Sequence, residues 1–149
     1  MNRLILLMTI PLCSLAQVEI DTVIDIGHRL YGGYYIPELN KLYTMCSFRL
    51  TVLDCSTWQR AAEFPADAPY GGGRFAWSPV QHKLYVRFNY ITDSTLVVDT
   101  DADSAWWILP GHADIEYVAS RDLLYTTPWD SGVLWALDCA TDSVVRTIA

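Results

Sequence analysis

Three passages of this chain carry the same features in the same order, at steps of about 40 to 45 residues. Each passage has a Leu-Tyr pair, followed by an apolar run that ends in aspartate. The landmarks are Tyr43, Tyr85 and Tyr125 for the pairs, and Asp54, Asp99 and Asp138 for the run ends. Such a repeat is typical of proteins whose units bury their apolar faces against their neighbours.

Each unit contains four short runs rich in Val, Ile, Leu, Tyr and Trp, separated by Gly, Pro, Asp and Ser. The apolar pattern lacks the period and length of a helix, so the runs are predicted to be strands. Four antiparallel strands in about 40 to 50 residues are the pattern of a β-propeller blade. The sequence therefore predicts an all-β, β-propeller-like fold with four-stranded antiparallel blades at about residues 31–65, 70–110 and 114–149.

An aspartate opens the predicted turn between the third and fourth strands of every unit, at Asp54, Asp99 and Asp138. Its carboxylate can accept hydrogen bonds from the following backbone amides, which predicts a structural role in a tight turn. Glycines precede the predicted first strand of two units, within residues 31–33 and 70–73. Glycine permits positive φ and a close backbone approach, as expected near the centre of a propeller.

The order of these elements resembles the YVTN family of bacterial β-propeller repeats. The best-matching stretches are Trp77-Ser78-Pro79, Lys83-Leu84-Tyr85-Val86 and Asp138 to Ile148, and the resemblance covers about residues 18–149. It implies the propeller architecture and little about activity, because such propellers serve as binding scaffolds, enzyme shells and surface proteins. The third unit lacks the proline and two residues before Leu124, so its first hairpin is predicted to be shorter.

Residues 1–16 are predicted to be a signal peptide. Arg3 gives a positive start, residues 4–12 are apolar, and Ser14 and Ala16 are small residues suited to cleavage after Ala16. A lipidated Cys13 is the alternative, although Leu12 stands where lipoprotein signals have a small residue. The mature chain is therefore expected to be secreted or periplasmic.

Residues 18–27 are predicted to form an N-terminal strand that resembles the fourth strand of a blade without the other three. After the leader the chain has room for about three units, whereas propellers usually close with about 4 to 8 blades. We therefore expect an open, incomplete ring whose exposed end blades favour self-association. A truncated gene is one interpretation, and a ring completed by a second copy is the other.

Charge and hydropathy exclude two classes of partner. The chain has 10 Lys and Arg against 17 Asp and Glu, a net charge of −7, and such a surface repels nucleic acid phosphates and anionic lipid. No stretch beyond the leader approaches the ~20 apolar residues of a membrane helix. The sequence thus predicts neither nucleic acid binding nor membrane insertion.

Four residues are candidates for ligand contact on the channel side of the propeller: His28, His112, Tyr70 and Arg74. The histidines stand at matching positions in loops that lead from a fourth strand to the next first strand. Two imidazoles can contribute to a metal site, but no further ligands accompany them, so no metal is predicted. Tyr70 and Arg74 flank the glycines on the same side.

No catalytic residue and no cofactor is predicted, because the sequence has no recognisable triad, paired carboxylates, nucleotide fingerprint or redox cysteine pair. Residues 99–103 alternate carboxylates like a calcium loop, but Ser104 and Pro110 replace its glycine and bidentate glutamate, which favours an ordinary acidic turn. Three cysteines follow the leader, an odd number, so at least one is unpaired.

Two functions are compatible with these features. The favoured hypothesis is an exported noncatalytic binding or interaction module that holds an unknown protein or glycan on the loops of the stacked blades. The competing hypothesis is part of a propeller enzyme, such as a lactonase-like hydrolase or a quinoprotein-like dehydrogenase, whose site is completed by further blades.

Overall fold

The structure is a computed structural model that describes residues 25, 27, 29–66, 73–88, 94–108, 114–127 and 132–149. The predicted leader and most of the predicted N-terminal strand lie outside these residues. The described part consists of strands and turns, with no helix that could span a membrane. Its strands are β1 (Leu30–Ile36), β2 (Lys41–Cys46), β3 (Arg49–Asp54), β4 (Gln59–Pro65), β5 (Gly73–Ser78), β6 (Lys83–Phe88), β7 (Thr95–Asp99), β8 (Ser104–Ile108), β9 (Asp114–Val118), β10 (Leu123–Thr127), β11 (Leu134–Asp138) and β12 (Ser143–Ile148).

These strands form three four-stranded antiparallel sheets, each a meander in which neighbours in sequence are neighbours in space. Blade 1 contains β1 to β4, blade 2 contains β5 to β8, and blade 3 contains β9 to β12. The sheets do not close into a ring. The prediction of an all-β, open partial propeller is confirmed.

Side chains from facing sheets fill two cores, one between each pair of successive blades. Tyr43 and Met45 of blade 1 pack with Leu84 and Val86 of blade 2. Tyr85, next to them on β6, points to the other side of the sheet and packs against blade 3. The central sheet therefore buries apolar residues on both faces, which explains its nearly continuous apolar strands.

The first hairpin has the same turn in all three blades. In the strand register Ile36 pairs with Lys41, Ser78 with Lys83 and Val118 with Leu123, so residues 37–40, 79–82 and 119–122 form the turns. The predicted shorter hairpin of blade 3 is wrong. Ala119 takes the place of Pro79, and the number of residues in the turn is the same as in the other two blades.

The aspartates Asp54, Asp99 and Asp138 close the turns as predicted. Asp54 Oδ1 accepts the backbone N–H groups of Ser56 and Thr57 at 2.7 and 3.0 Å. Asp99 accepts two turn amides in the same way, and Asp138 accepts the N–H of Thr141. Because these donors favour the charged form, the amide of Thr57 chiefly lowers the pKa of Asp54, and that of Thr141 lowers the pKa of Asp138.

Replacing Asp54 and Asp138 with asparagine is expected to make the free energy of unfolding less sensitive to acid. A lowered native pKa means that each carboxylate stabilises the fold above about pH 4 and loses this effect as the pH falls through the native value. Asparagine keeps an acceptor oxygen and does not titrate. Urea unfolding at pH 7 and pH 3 measures the difference, with the exposed Glu38→Gln as the control. An equal loss in the wild type and the double variant would contradict the prediction.

The described glycines of these two passages lie inside the first strands and not before them. Gly32 and Gly33 belong to β1 and Gly73 to β5, and none of the three has positive φ. Close approach is the reason at Gly73, where a Cβ would overlap the carbonyl oxygen of Arg87 and the side chain of Met45. The expected close packing is therefore present at Gly73, and the expected positive φ is absent at all three.

Candidate ligand-binding site at the inner edge of the blades

The first strands of the blades converge on one side of the molecule. β5 runs against β9 and also touches β1, whereas the outermost strands of the described blades make no comparable contact with each other. The blades thus spread like a fan whose narrow side is formed by β1, β5 and β9. We call this side the inner edge, and it corresponds to the channel side of a propeller.

Arg74, a predicted site residue, lies on β5 at the inner edge. Its Nε forms an ion pair with Asp114 Oδ1 on β9 at 3.2 Å, and the two side chains are 66% and 59% exposed. Exposed pairs of this kind stabilise a fold little, because solvent and salt screen them. The Arg74 guanidinium is therefore available to a ligand at small cost.

A second arginine lies next to Arg74. Arg87 on β6 is its direct cross-strand partner, so both side chains project from the same face of the sheet. Arg87 is buried, and desolvation lowers its pKa while the charge of Asp114 raises it. Because arginine remains charged even after such a shift, the site keeps a buried positive charge beside an exposed one.

Arg74, Arg87 and Asp114 form what we call the inner-edge cluster. It carries one net positive charge in a chain whose net charge is −7. Guanidinium groups present a planar fork of donors that matches a carboxylate or phosphate group. The charge and donor geometry of the cluster therefore suit the recognition of an acidic group.

The other predicted site residues, His28, Tyr70 and His112, lie outside the described residues. Arg87 and Asp114 were not predicted from the sequence. Their signal was present in the repeat, since Arg74 and Asp114 occupy the same position of their first strands, each four residues before the last paired residue of the strand. Opposite charges at one repeat position are typical of an ion pair between neighbouring blades. The repeat position of the two residues can be recognised only when the register of their strands is known.

The three carboxylates of the acidic turn at residues 99–103 have three different partners. Asp99 binds turn amides, Asp101 lies 2.8 Å from His82 Nδ1, and Asp103 forms an ion pair with Lys41 at 2.8 Å. Within the described ranges no group of three His, Cys, Asp or Glu side chains is arranged for a metal ion. The turn is thus an element of packing between blades 1 and 2.

The three described cysteines, Cys46, Cys55 and Cys139, are all free thiols. Burial raises the pKa of the Cys139 thiol to about 11, and it raises that of Cys55 as well. Raised pKa values disfavour the reactive thiolate. Burial therefore disfavours the reactive form of Cys55 and Cys139.

Comparisons with known proteins support the fold. The chain is similar to hydrazine synthase of Kuenenia stuttgartiensis (TM-score 0.65, 17% identity, covering 88% of this chain and 39% of that chain). It is also similar to the dihydro-heme d1 dehydrogenase NirN in complex with DHE (TM-score 0.62, 20% identity, covering 80% of this chain and 28% of that chain). A third similar structure is Sqt1 of Saccharomyces cerevisiae (TM-score 0.62, 11% identity, covering 80% of this chain and 35% of that chain). These neighbours are β-propeller proteins, both enzymes and noncatalytic ones.

At these identities the similarity shows the propeller fold alone. The chain spans between 28% and 39% of the length of the solved chains named above. No protein-family model matches the sequence, and no curated protein matches it.

Proposed function

We propose that this chain is an exported, noncatalytic interaction module of the YVTN type, which binds an acidic group of a protein or glycan at the inner edge of its blades. The inner-edge cluster carries the proposal, because it places two guanidinium groups side by side in an otherwise acidic protein. Propellers commonly hold ligands on the loops and strand ends around their centre. Export follows from the predicted signal peptide, and secretion or periplasmic location is part of the proposal.

The geometry supports a binding role for Arg74 in particular. Its only ion pair with a described residue is the exposed contact with Asp114, and a ligand carboxylate can replace that contact without burying a new charge. Arg87 adds a fixed positive charge that need not move when the ligand arrives. Asp114 competes with the ligand for Arg74. Replacing Asp114 and replacing Arg74 are therefore expected to change the affinity for the ligand in opposite directions.

The test uses two acidic probes, oligogalacturonate and a polyglutamate peptide, with a neutral cello-oligosaccharide as reference. Arg74→Ala is expected to weaken binding of the acidic probe by about tenfold, since a charged hydrogen bond contributes about 1.5 kcal/mol or more. Asp114→Asn is expected to strengthen it. Isothermal titration calorimetry measures both, and circular dichroism confirms that the variants are folded.

Arg60→Ala is the matched control, because Arg60 is also exposed and paired with a carboxylate, Glu63, but lies on the outer strand β4. It should leave the affinity within about twofold of the wild type. Equal losses for Arg60→Ala and Arg74→Ala would show a general charge effect, and no binding of either acidic probe would contradict the proposal.

A second candidate is part of a propeller enzyme, lactonase-like or quinoprotein-like, with further blades completing the site. The similarity to hydrazine synthase and to the dehydrogenase NirN favours it. Turnover of a lactone or of an alcohol with an artificial electron acceptor, abolished by Arg74→Ala and kept by Arg60→Ala, would support this candidate over the binding module.

A further inference from the structure

One face of blade 3 points away from blade 2, and we call it the end face. Leu123 and Tyr125 of β10 lie on this face, together with Leu134 and Ala136 of β11. The residues next to them along each strand pack against blade 2, and successive side chains of a strand point to opposite faces of the sheet. Tyr125 occupies the position of Tyr43 and Tyr85, which are fully buried between blades. Only Tyr125 of the three keeps part of its ring exposed. The end face thus has the composition of an interface between blades.

The residue before the Leu-Tyr pair differs at the end face. At the two internal interfaces this position is a lysine that pairs with an aspartate of the next blade, Lys41 with Asp103 and Lys83 with Asp142. In blade 3 the same position is Leu123. A repeat whose outer face stays in contact with water needs polar residues on that face. Replacing lysine with leucine makes the end face more apolar, which suits a surface that becomes covered.

A single row across the end face is complementary to itself. Glu116, Tyr125, Ala136 and Arg146 are direct cross-strand neighbours, in that order from β9 to β12. Neither Glu116 nor Arg146 forms an ion pair with another residue in the described part of the chain. A two-fold axis parallel to the strands, between β10 and β11, brings Glu116 opposite Arg146 of a second copy and Tyr125 opposite Ala136. Opposite charges then face each other twice, whereas Ala136 is only 1% exposed and is already buried within its own copy.

A groove of about 130 Å³ lies beside the Glu116–Tyr125 half of this row, lined among others by Asp114, Thr127 and Leu134. Its carboxylate and aromatic ring suit a guanidinium group, which binds carboxylates and stacks on aromatic rings. Arg146 is exposed at the opposite edge of the same sheet. The groove therefore provides a place for Arg146 of the second copy.

The other end of the fan does not offer an equivalent surface. On the face of blade 1 that points away from blade 2, Cys46, Thr51 and Leu53 are at most 4% exposed. The sequence predicted exposed faces on both end blades, and these three residues of blade 1 are buried. Two copies that share one open face associate through the same patch on each, which requires two-fold symmetry.

We propose that the end face is a self-association surface, where blade 3 of one copy packs against blade 3 of a second copy around a two-fold axis. The inference does not rest on the binding proposed for the inner edge, although Asp114 of the inner-edge cluster also lines the groove. Two Glu116–Arg146 pairs then flank the axis. A head-to-tail ring, with blade 3 against blade 1, is a different outcome of the same test.

Sedimentation velocity of the full chain over about a hundredfold range of concentration tests the proposal, and we expect a reversible dimer. Glu116→Arg and Arg146→Glu should each weaken the dimer by about tenfold or more, because every reversal places two pairs of like charges in contact. The double reversal should return the affinity to near that of the wild type. Arg121→Glu, the same charge change on an exposed turn residue outside the row, should have no effect.

A photo-crosslinking residue in place of Leu123 gives an independent readout that does not depend on the charge variants folding equally well. Cross-links to blade 3 of the second copy are expected. A wild type that stays monomeric throughout the range, a dimer that the reversals do not weaken, a double reversal that does not recover, or cross-links to blade 1 would each overturn the proposal.

Discussion

Alanine in place of Gly73 is expected to lower the free energy of unfolding by about 3 kcal/mol, the upper part of the usual range for overpacking. The added Cβ would overlap the Arg87 carbonyl oxygen of the neighbouring strand and the Met45 side chain of blade 1. The backbone of the neighbouring strand β6 cannot move away without breaking its hydrogen bonds to β5. For a chain of this size the loss corresponds to a decrease in Tm of about 10 °C, measurable by differential scanning calorimetry.

Gly33→Ala is the matched control for this change. Gly33 lies in the corresponding first strand of blade 1, and a Cβ there would meet Leu42 and the Tyr43 carbonyl at 3.5 Å, which is ordinary contact. We expect a change within about 1 kcal/mol, since removing glycine from a strand also reduces the entropy of the unfolded chain. Equal losses at the two positions would show that β5 has room for a side chain.

Removing the carboxylate of Asp142 is expected to destabilise the packing of blade 3 on blade 2 by about 3 kcal/mol. Asp142 Oδ2 lies 2.9 Å from Lys83 Nζ, and the two side chains are 11% and 13% exposed. The Tyr85 hydroxyl also donates to Asp142, at 2.8 Å. Asp142→Ala therefore leaves a largely buried ammonium group without its counter-ion, and it leaves the Tyr85 hydroxyl with only the Cys139 carbonyl oxygen as acceptor, at 3.3 Å. Urea unfolding monitored by tryptophan fluorescence measures the loss.

The equivalent change at the other interface, Asp103→Ala, should cost only about 0.5 to 1 kcal/mol. The Lys41–Asp103 pair has nearly the same length, 2.8 Å, but its side chains are 19% and 40% exposed. Solvent therefore screens the pair and replaces the lost contact. If Asp103→Ala were as damaging as Asp142→Ala, burial would not be the factor that separates the two interfaces.

The candidate site was only partly predictable. Arg74 was identified because it follows glycines at the start of a first strand, where a propeller is narrow. Asp114 and Arg87 were missed, since their significance depends on which residue of β9 and of β6 lies beside Arg74. The expected positive φ of the glycines was wrong for a similar reason. Glycine is needed at position 73 because Arg87 of the next strand and Met45 of blade 1 approach it closely, and its own backbone angle does not require it.

The amino-acid sequence by itself determined the period, the strands and the aspartate turns, such as the one at Asp54, because each depends on contacts within a few residues or within one hairpin. The tertiary structure alone decided which charges meet between blades and which end face stays open. Residues such as Lys83 and Asp142 belong to different sheets, and the way one sheet stacks on the next brings them together. The distance between two such side chains depends on the twist and register of whole sheets. No local sequence pattern encodes these properties.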